Sequence, residues 1–404
     1  MLKDLSTQWM SNFIVAGLSF FSTVAVARVL GPETFGEYAV ALSVGAVAAI
    51  IIDSGMRTLL LRERAKSSAH LNSITTTIFG LAQSHVLFSS ALLGVLAIVF
   101  VEESYRKLAL ATIGCFTALT FTQLVSATMR GDGKFQQDAW FLIGARATAV
   151  SSILIGLLIG VRSPWQILAL WGSVTLLYLL FFFRFFTLPK LSGLERVYRA
   201  ALPFLILELS ITVYIRSDVL LLGVFGVEAD LIGAYSAAFR ICEVGVLLSA
   251  PVGLLFFHHM RTNDRPREYQ YQLIINILKL SILASLPIVI VIGYFAPQLI
   301  HLIFGENFSG AGSYLQILSG MLLFILPNAI LTQAAIALGK EKYSIAVAFV
   351  AAVLNLTLLA IFISIFGVTS AAWIKVITEG FVVLSMSVLL LSNRKTDSVT
   401  GQKK

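Results

Sequence analysis

The stretch Leu87-Phe-Ser-Ser-Ala-Leu-Leu-Gly-Val-Leu-Ala-Ile-Val-Phe-Val101 is apolar at nearly every position, with two serines as its only polar members. It has neither the alternation of a half-buried strand nor the one-sided stripe of a surface helix. A run of this kind is stable as a helix in an apolar medium, where intrahelical bonds satisfy every backbone N–H and C=O. Comparable runs of about 20 residues recur about a dozen times along the chain, and at 1.5 Å per residue each is long enough to cross about 30 Å of hydrocarbon. The 404-residue composition agrees: 58% apolar, 12% charged, mean hydropathy +0.89, where a soluble domain carries about a quarter charged residues. A water-soluble fold is excluded. A transmembrane barrel is excluded too, because its strands alternate apolar and polar over about ten residues. The chain reads as an all-α integral membrane protein.

Working outward from that run, twelve spans are expected, over 10–30, 37–61, 74–101, 107–129, 139–161, 165–188, 201–224, 231–257, 273–295, 313–338, 344–366 and 369–392. The tripeptide Ala25-Val-Ala27 resembles a signal-peptidase site, but its flank holds one Lys and one Asp, so the first run is read as a retained helix. With the N-terminus inside, the inner segments carry 19 basic residues and the outer ones 4. The positive-inside rule therefore places both termini in the cytoplasm. Thr187 to Arg199 is the longest cytoplasmic connection before the midpoint. It divides the chain into an N-terminal lobe 1–188, a linker 189–200, a C-terminal lobe 201–392 and a tail 393–404, six helices to each lobe. Gly36-Glu-Tyr-Ala-Val-Ala41 and Gly233-Ala-Tyr-Ser-Ala-Ala238 share G-x-Y-x-x-A at equivalent places. This echo suggests a parallel repeat with substrate in a central cavity between the lobes. Pro203, Pro251, Pro287 and Pro327 fall inside second-lobe spans, where each frees a carbonyl and permits a kink.

Charge within hydrocarbon costs at least about 2.5–3.5 kcal/mol per residue at a helix centre, so the intramembrane charges are a short list of candidates. The basic ones are Arg28, Arg57, Arg146, Arg216, Arg240, Lys279 and Lys375, and the acidic ones Asp53, Glu208, Asp218, Glu243 and Glu379. Asp53 with Arg57, Arg240 with Glu243, and Lys375 with Glu379 are spaced to pair along one helix face. Arg28, Arg216, Arg240 and Lys375 lie in the outer halves of their spans. With Arg57 and Arg146 they make a candidate cationic track suited to a pyrophosphate, since guanidinium binds phosphate oxygens bidentately and stays charged. Glu208, Asp218, Glu243 and Glu379 are candidates for binding a coupling H+ or Na+. Gln83, Ser84, Gln123, Asn276, Asn328, Gln333 and Asn355 suit either sugar hydroxyls or interhelical hydrogen bonds.

The other motifs exclude chemistries. The net charge of +8 is spread over helix ends and not gathered on one soluble face, which argues against nucleic acid. Cys115 and Cys242 lie in apolar runs, and the five histidines have no metal-ligand spacing. No catalytic residue, metal or organic cofactor is expected. Arg130-Gly-Asp-Gly133 is a tight turn without the context of a phosphate loop, and Trp9, Trp140, Trp165 and Trp373 are placed as interfacial anchors.

Ala27-Arg-Val-Leu-Gly-Pro-Glu-Thr-Phe-Gly-Glu-Tyr-Ala39 resembles the stretch that closes the first helix and opens the second in polysaccharide exporters of the multidrug/oligosaccharidyl-lipid/polysaccharide (MOP) flippase superfamily. Gly233 to Arg240, Phe304-Gly-Glu-Asn-Phe308 and Ala335-Ile-Ala-Leu-Gly339 are similar to second-lobe features of the same group. The resemblance implies a MOP/MATE-like fold and a Wzx-type flippase. Such a protein moves undecaprenyl-pyrophosphate-linked oligosaccharide across the bacterial inner membrane for O-antigen, capsule or exopolysaccharide assembly. It works among membrane lipids, with an O-antigen polymerase and a chain-length regulator as partners. Of the family's cavity arginines, only Arg28 and Arg240 fall in matched motifs. The rival readings are a MATE-like cation-coupled drug antiporter, which favours an acidic cavity; a lipid II flippase, which usually has more helices; and a polytopic glycosyltransferase or O-antigen polymerase, which usually carries a large periplasmic loop.

Overall fold

A computed structural model of the chain describes residues 2–65, 71–182, 194–262 and 267–392. The tail 393–404 and the first five residues of the expected linker, 189–193, lie outside the described residues. Fourteen α-helices follow one another without a strand among the described residues: α1 Leu2–Asp53, α2 Met56–Arg64, α3 Leu71–Phe100, α4 Glu103–Gly131, α5 Phe135–Leu158, α6 Pro164–Leu180, α7 Leu194–Val224, α8 Ala229–Thr262, α9 Arg267–Tyr294, α10 Ala296–Phe304, α11 Ala311–Ser319, α12 Leu322–Ala337, α13 Glu341–Phe366 and α14 Val368–Ser392. Eight of these are long and apolar enough to cross a membrane, or nine if α11 and α12, bent by 41° at their junction, form one span. Length and apolarity thus do not by themselves return the expected twelve.

Part of the difference lies in α1, which is continuous in hydrogen bonding but broken in direction. Gly31 has φ 76° and ψ 172° and is followed by Pro32, whose fixed φ suits the first turn of a new helix. Near its start, Gln8 donates to the carbonyl of Phe135 and to Asp138. Just past its end, Arg64 of α2 reaches Asp132. The start of α1 and the end of the short α2 that follows it therefore both meet the junction of α4 with α5. A straight helix from Gln8 to Asp53 would put them about 70 Å apart at 1.5 Å per residue, so α1 doubles back at Gly31 into two antiparallel arms. The first arm lies along α5, where Ser11 bonds to Ala139 and Arg146 to Ser19. The second lies along α4, where Gly45 faces Thr112 and Phe116.

The chain divides into two compact units, Met1–Arg216 and Ser217–Lys404. The division falls within α7, later than the expected linker at 189–200. Its physical cause is that the start of α7 is built into the first unit. Ala201 is buried with Ile52, Met56, Leu60, Phe79 and Leu124 in one apolar cluster, and Val197, Tyr198 and Phe204 pack against it. In the second unit α8 lies along α11 and α12, with Gly245 facing Leu322 and Gly253 facing Ala329 and Gln333. The pairing of α8 there matches that of the second arm of α1 with α4. Tyr38 and Tyr235, the tyrosines of the two G-x-Y-x-x-A motifs, are both buried. The four second-lobe prolines lie inside α7, α8, α9 and α12.

Candidate functional site

The expected second span, 37–61, is interrupted at Ser54-Gly55. Ser54 has φ 50°, the one positive value at a residue other than glycine among the described residues, and Gly55 has φ 72°. Gly55 is required here for a second reason. A Cβ at this position would lie 2.6 Å from the backbone nitrogen of Leu205 and 2.7 Å from the carbonyl oxygen of Ala201. Its absence allows α7 to cross directly over the break between α1 and α2, one turn before Glu208.

That crossing places Glu208 against the first turn of α2. Thr58 Oγ1 donates to Glu208 Oε1 at 2.5 Å, and Arg57 Nη2 approaches Oε2 at 3.0 Å. The latter contact lacks the alignment of a hydrogen bond, and Oε2 is buried with no hydrogen-bond donor. Asp53 Oδ1 accepts the backbone N–H of Arg57 at 3.2 Å, capping α2, while its Oδ2 is buried without a hydrogen-bond partner. The sequence spacing suggested side-chain pairing of Asp53 with Arg57. The break removes the continuous helical register that such a pair requires, and the guanidinium turns to Glu208 instead.

These groups line a cavity of about 320 Å³ within the first unit. The second arm of α1 contributes Ala46, Ala49, Ile50 and Asp53; α2 contributes Arg57; α4 contributes Phe116, Leu119, Thr120 and Gln123; α7 contributes Glu208, Thr212, Ile215 and Arg216. The cavity is apolar on most of its wall, with two guanidinium groups, two carboxylates and three neutral polar side chains. Its formal charge is therefore balanced, where the sequence suggested a cationic surplus. Behind the break, His85 of α3 contacts Ser54 Oγ at 2.8 Å and the Ile51 carbonyl at 3.1 Å through Nε2, and Tyr198 of α7 donates to its Nδ1 at 2.7 Å. One imidazole thus ties the break to α3 and α7.

Of the six candidate cations, Arg57 and Arg216 come together at this cavity. Arg146 is in the same unit but turned elsewhere, donating to Ser19 at 2.6 Å and lying 4.7 Å over the Trp171 ring. Arg28 is exposed near the end of the first arm of α1. In the second unit Arg240 and Glu243 pair at 2.6 Å, as their spacing suggested. Lys375 is buried 3.9 Å from Asp218 and 5.2 Å over the Phe239 ring. Asp218 also accepts the Tyr235 hydroxyl at 2.7 Å, and Glu379 accepts from Asn328 at 3.2 Å. Asn355 donates to Ser217 and accepts from Thr378. Sequence reasoning named Gln123 and Asn355, and Tyr235 only as part of the repeated motif, but missed Ser54, Thr58, Thr120, Tyr198 and Thr212; His85 entered only among five histidines without metal-ligand spacing. The available signal was weak, because a hydroxyl in an apolar helix most often bonds its own i−4 carbonyl. No cluster of three or more His, Cys, Asp or Glu side chains suited to a metal occurs among the described residues.

The helical architecture is that of a multi-pass membrane protein. Its fold matches that of the lipid II flippase MurJ in an inward closed conformation, with TM-score 0.78 and 14% identity over 96% of this chain and 89% of that one. It also matches an inward-facing multidrug resistance MATE family transporter of the MOP superfamily, with TM-score 0.67 and 15% identity over 96% and 95% of the two chains. Residues 1–256 match the family described as "Polysaccharide biosynthesis protein", and the chain belongs to that family. A relative from Haloferax volcanii, named as the probable low-salt glycan biosynthesis flippase Agl15, is 24% identical over 376 residues, covering 90% of this chain and 78% of its own.

Proposed function

We propose that this protein moves a lipid-linked oligosaccharide, with undecaprenyl pyrophosphate as the carrier, from the inner to the outer leaflet of the bacterial inner membrane. On this reading both termini face the cytoplasm and the transported units feed O-antigen, capsule or exopolysaccharide assembly, in company with a polymerase and a chain-length regulator. The sugar and the pyrophosphate enter the protein while the polyprenyl tail stays in lipid, and access alternates between the two faces of the membrane.

The observation that carries this reading is the presence of Arg57 and Arg216 on one intramembrane cavity whose wall is otherwise largely apolar. Guanidinium groups in a poorly solvated site suit phosphate oxygens, to which they offer paired donors at any physiological pH. With its formal charge balanced the cavity offers no surplus of negative charge to attract an organic cation, and Arg57 already engages Glu208. The family and the name of the Haloferax relative support a glycan cargo.

The test is deletion in the host, with surface polysaccharide and lipid-linked oligosaccharide measured together by mass spectrometry. Loss of surface polymer, with completed repeat units accumulating on the carrier lipid, is expected. Wild type should reverse both effects and an Arg57→Ala variant expressed at the same level should not. Normal polymer with altered sensitivity to toxic cations would overturn the reading in favour of an antiporter.

A further inference from the structure

Resting on the proposed function, we infer that Thr120, Gln123 and Thr212 form a subsite for a single sugar, the one joined directly to the carrier's pyrophosphate, and make the protein selective for it. A hydroxyl in an apolar helix ordinarily donates to the carbonyl four residues before it, as Thr112, Thr117, Thr122 and Thr128 of α4 do. Thr212 of α7 does not. Neither Thr212 nor Gln123 of α4 has a hydrogen-bond partner among the described residues, and both line the cavity within the first unit. An amide or hydroxyl left unpaired in apolar surroundings is costly, and a ligand with hydroxyl or amide groups removes that cost. Thr120, one turn from Gln123, donates to the Phe116 carbonyl at 2.8 Å and keeps its lone pairs as acceptors. The three side chains thus offer uncharged donors and acceptors, which suit a sugar and do nothing for a phosphate's charge.

Spacing sets which sugar they meet. Glu208, Thr212 and Arg216 recur every four residues on α7 and form one row in the cavity wall, about 6 Å apart at 1.5 Å per residue. Arg57 meets that row at Glu208, so the two guanidinium groups stand at its ends and Thr212 at its middle. A phosphate held at either end leaves the sugar it carries beside Thr212, in the same cavity as Thr120 and Gln123. Ala46 and Ala49 of α1 make room there, and Ile50 and Leu119 present apolar surface to the C–H face of a sugar ring. Volume sets the limit. The cavity's 320 Å³ lies at the lower end of the ~300–1,000 Å³ of small-molecule sites, room for one sugar with its phosphate and not for a repeat unit. A site built to hydrogen-bond a substituent rejects the analogue that lacks it, because the site's own polar groups are then left unpaired.

The experiment uses the full chain in lipid nanodiscs and calorimetry with synthetic short-chain prenyl pyrophosphate diesters of equal charge. One is capped by a methyl group, a set by single sugars (glucose, galactose and their 2-acetamido forms), and one by a disaccharide built on the tightest of these. For wild type, the tightest single sugar should bind about tenfold or more better than the methyl cap, the gain of one or two net hydrogen bonds. The single sugars should differ among themselves, and the second sugar should add little. Gln123→Leu and Thr212→Val should each bind the methyl diester as wild type does and lose most of the gain from the sugar, whereas Arg57→Ala should weaken binding of every probe. Equal binding of the methyl and all single-sugar diesters by wild type overturns the inference and leaves the flippase reading intact. So does a second sugar that adds as much as the first, or a folded Gln123→Leu/Thr212→Val double variant that keeps the whole gain. Failure of wild type to bind any of the diesters while it binds an organic cation overturns the proposed function itself. The comparison of probes on wild type needs no variant to fold.

Discussion

On the proposed function Arg57 carries the greatest weight of any single residue, and its geometry sets a graded expectation. Arg57→Lys keeps the charge but loses the planar fork, and it should retain partial flipping where Arg57→Ala has none, read as the rate of lipid-linked oligosaccharide translocation in reconstituted vesicles. Sequence inspection could single out Arg57 because a charge in an apolar run is conspicuous. It could not foresee the partner, because Glu208 is 151 residues away and reaches Arg57 only through the way α7 crosses the break. The same limit hid Asp218, which is 157 residues from Lys375 in sequence and 3.9 Å from it in the fold. That buried pair gives a second expectation. Replacing Lys375 alone by Met leaves Asp218 charged and unmatched, at a cost of roughly 3–5 kcal/mol, whereas adding Asp218→Asn should recover most of the loss. Thermal unfolding of the single and double variants in detergent measures the difference.

Among the elements, the break at Ser54-Gly55 does the most to shape the cavity. A continuous second span would have carried Arg57 onto the face of Asp53; the break instead turns α2 so that Arg57 and Thr58 both address Glu208. Gly55→Ala should therefore destabilise the first unit by more than the ~1–2 kcal/mol of a left-handed backbone at an L-residue, because the added methyl meets the backbone of α7 at Leu205 and Ala201. The readout is folded yield and midpoint of thermal unfolding. Tyr198→Phe, which removes one hydrogen bond to His85, should cost about 1 kcal/mol by the same measurement. Helix positions were legible from apolar runs, and the observed α3, α4, α5, α13 and α14 lie within a few residues of the expected spans. The break was not legible: Asp-Ser-Gly inside an apolar run reads as a tolerated glycine until α7 is seen pressing on it.

For the whole molecule, the class of fold was readable from composition and run length, and the MOP fold from a thirteen-residue motif. Orientation rests on the basic residues, and it predicts that reporters placed in the Asp132–Lys134 turn score as cytoplasmic and those at Arg162–Ser163 as external. Cysteine-accessibility labelling at the two turns checks this, and the opposite pattern would invert the assignment of both termini. The position of the division between units was not readable from loop length, because it depends on what the start of α7 packs against.

The doubling back of α1 has a consequence for how the protein is made. Its two arms are separated by a single non-helical residue, Gly31, so the ribosome delivers them with no hydrophilic segment between them to be translocated. They are expected to enter the bilayer together as a preformed hairpin, with Arg28 and Glu33 crossing at its tip. A tag inserted between Gly31 and Pro32 would burden biogenesis in a way that the same tag in the Asp132–Lys134 turn would not.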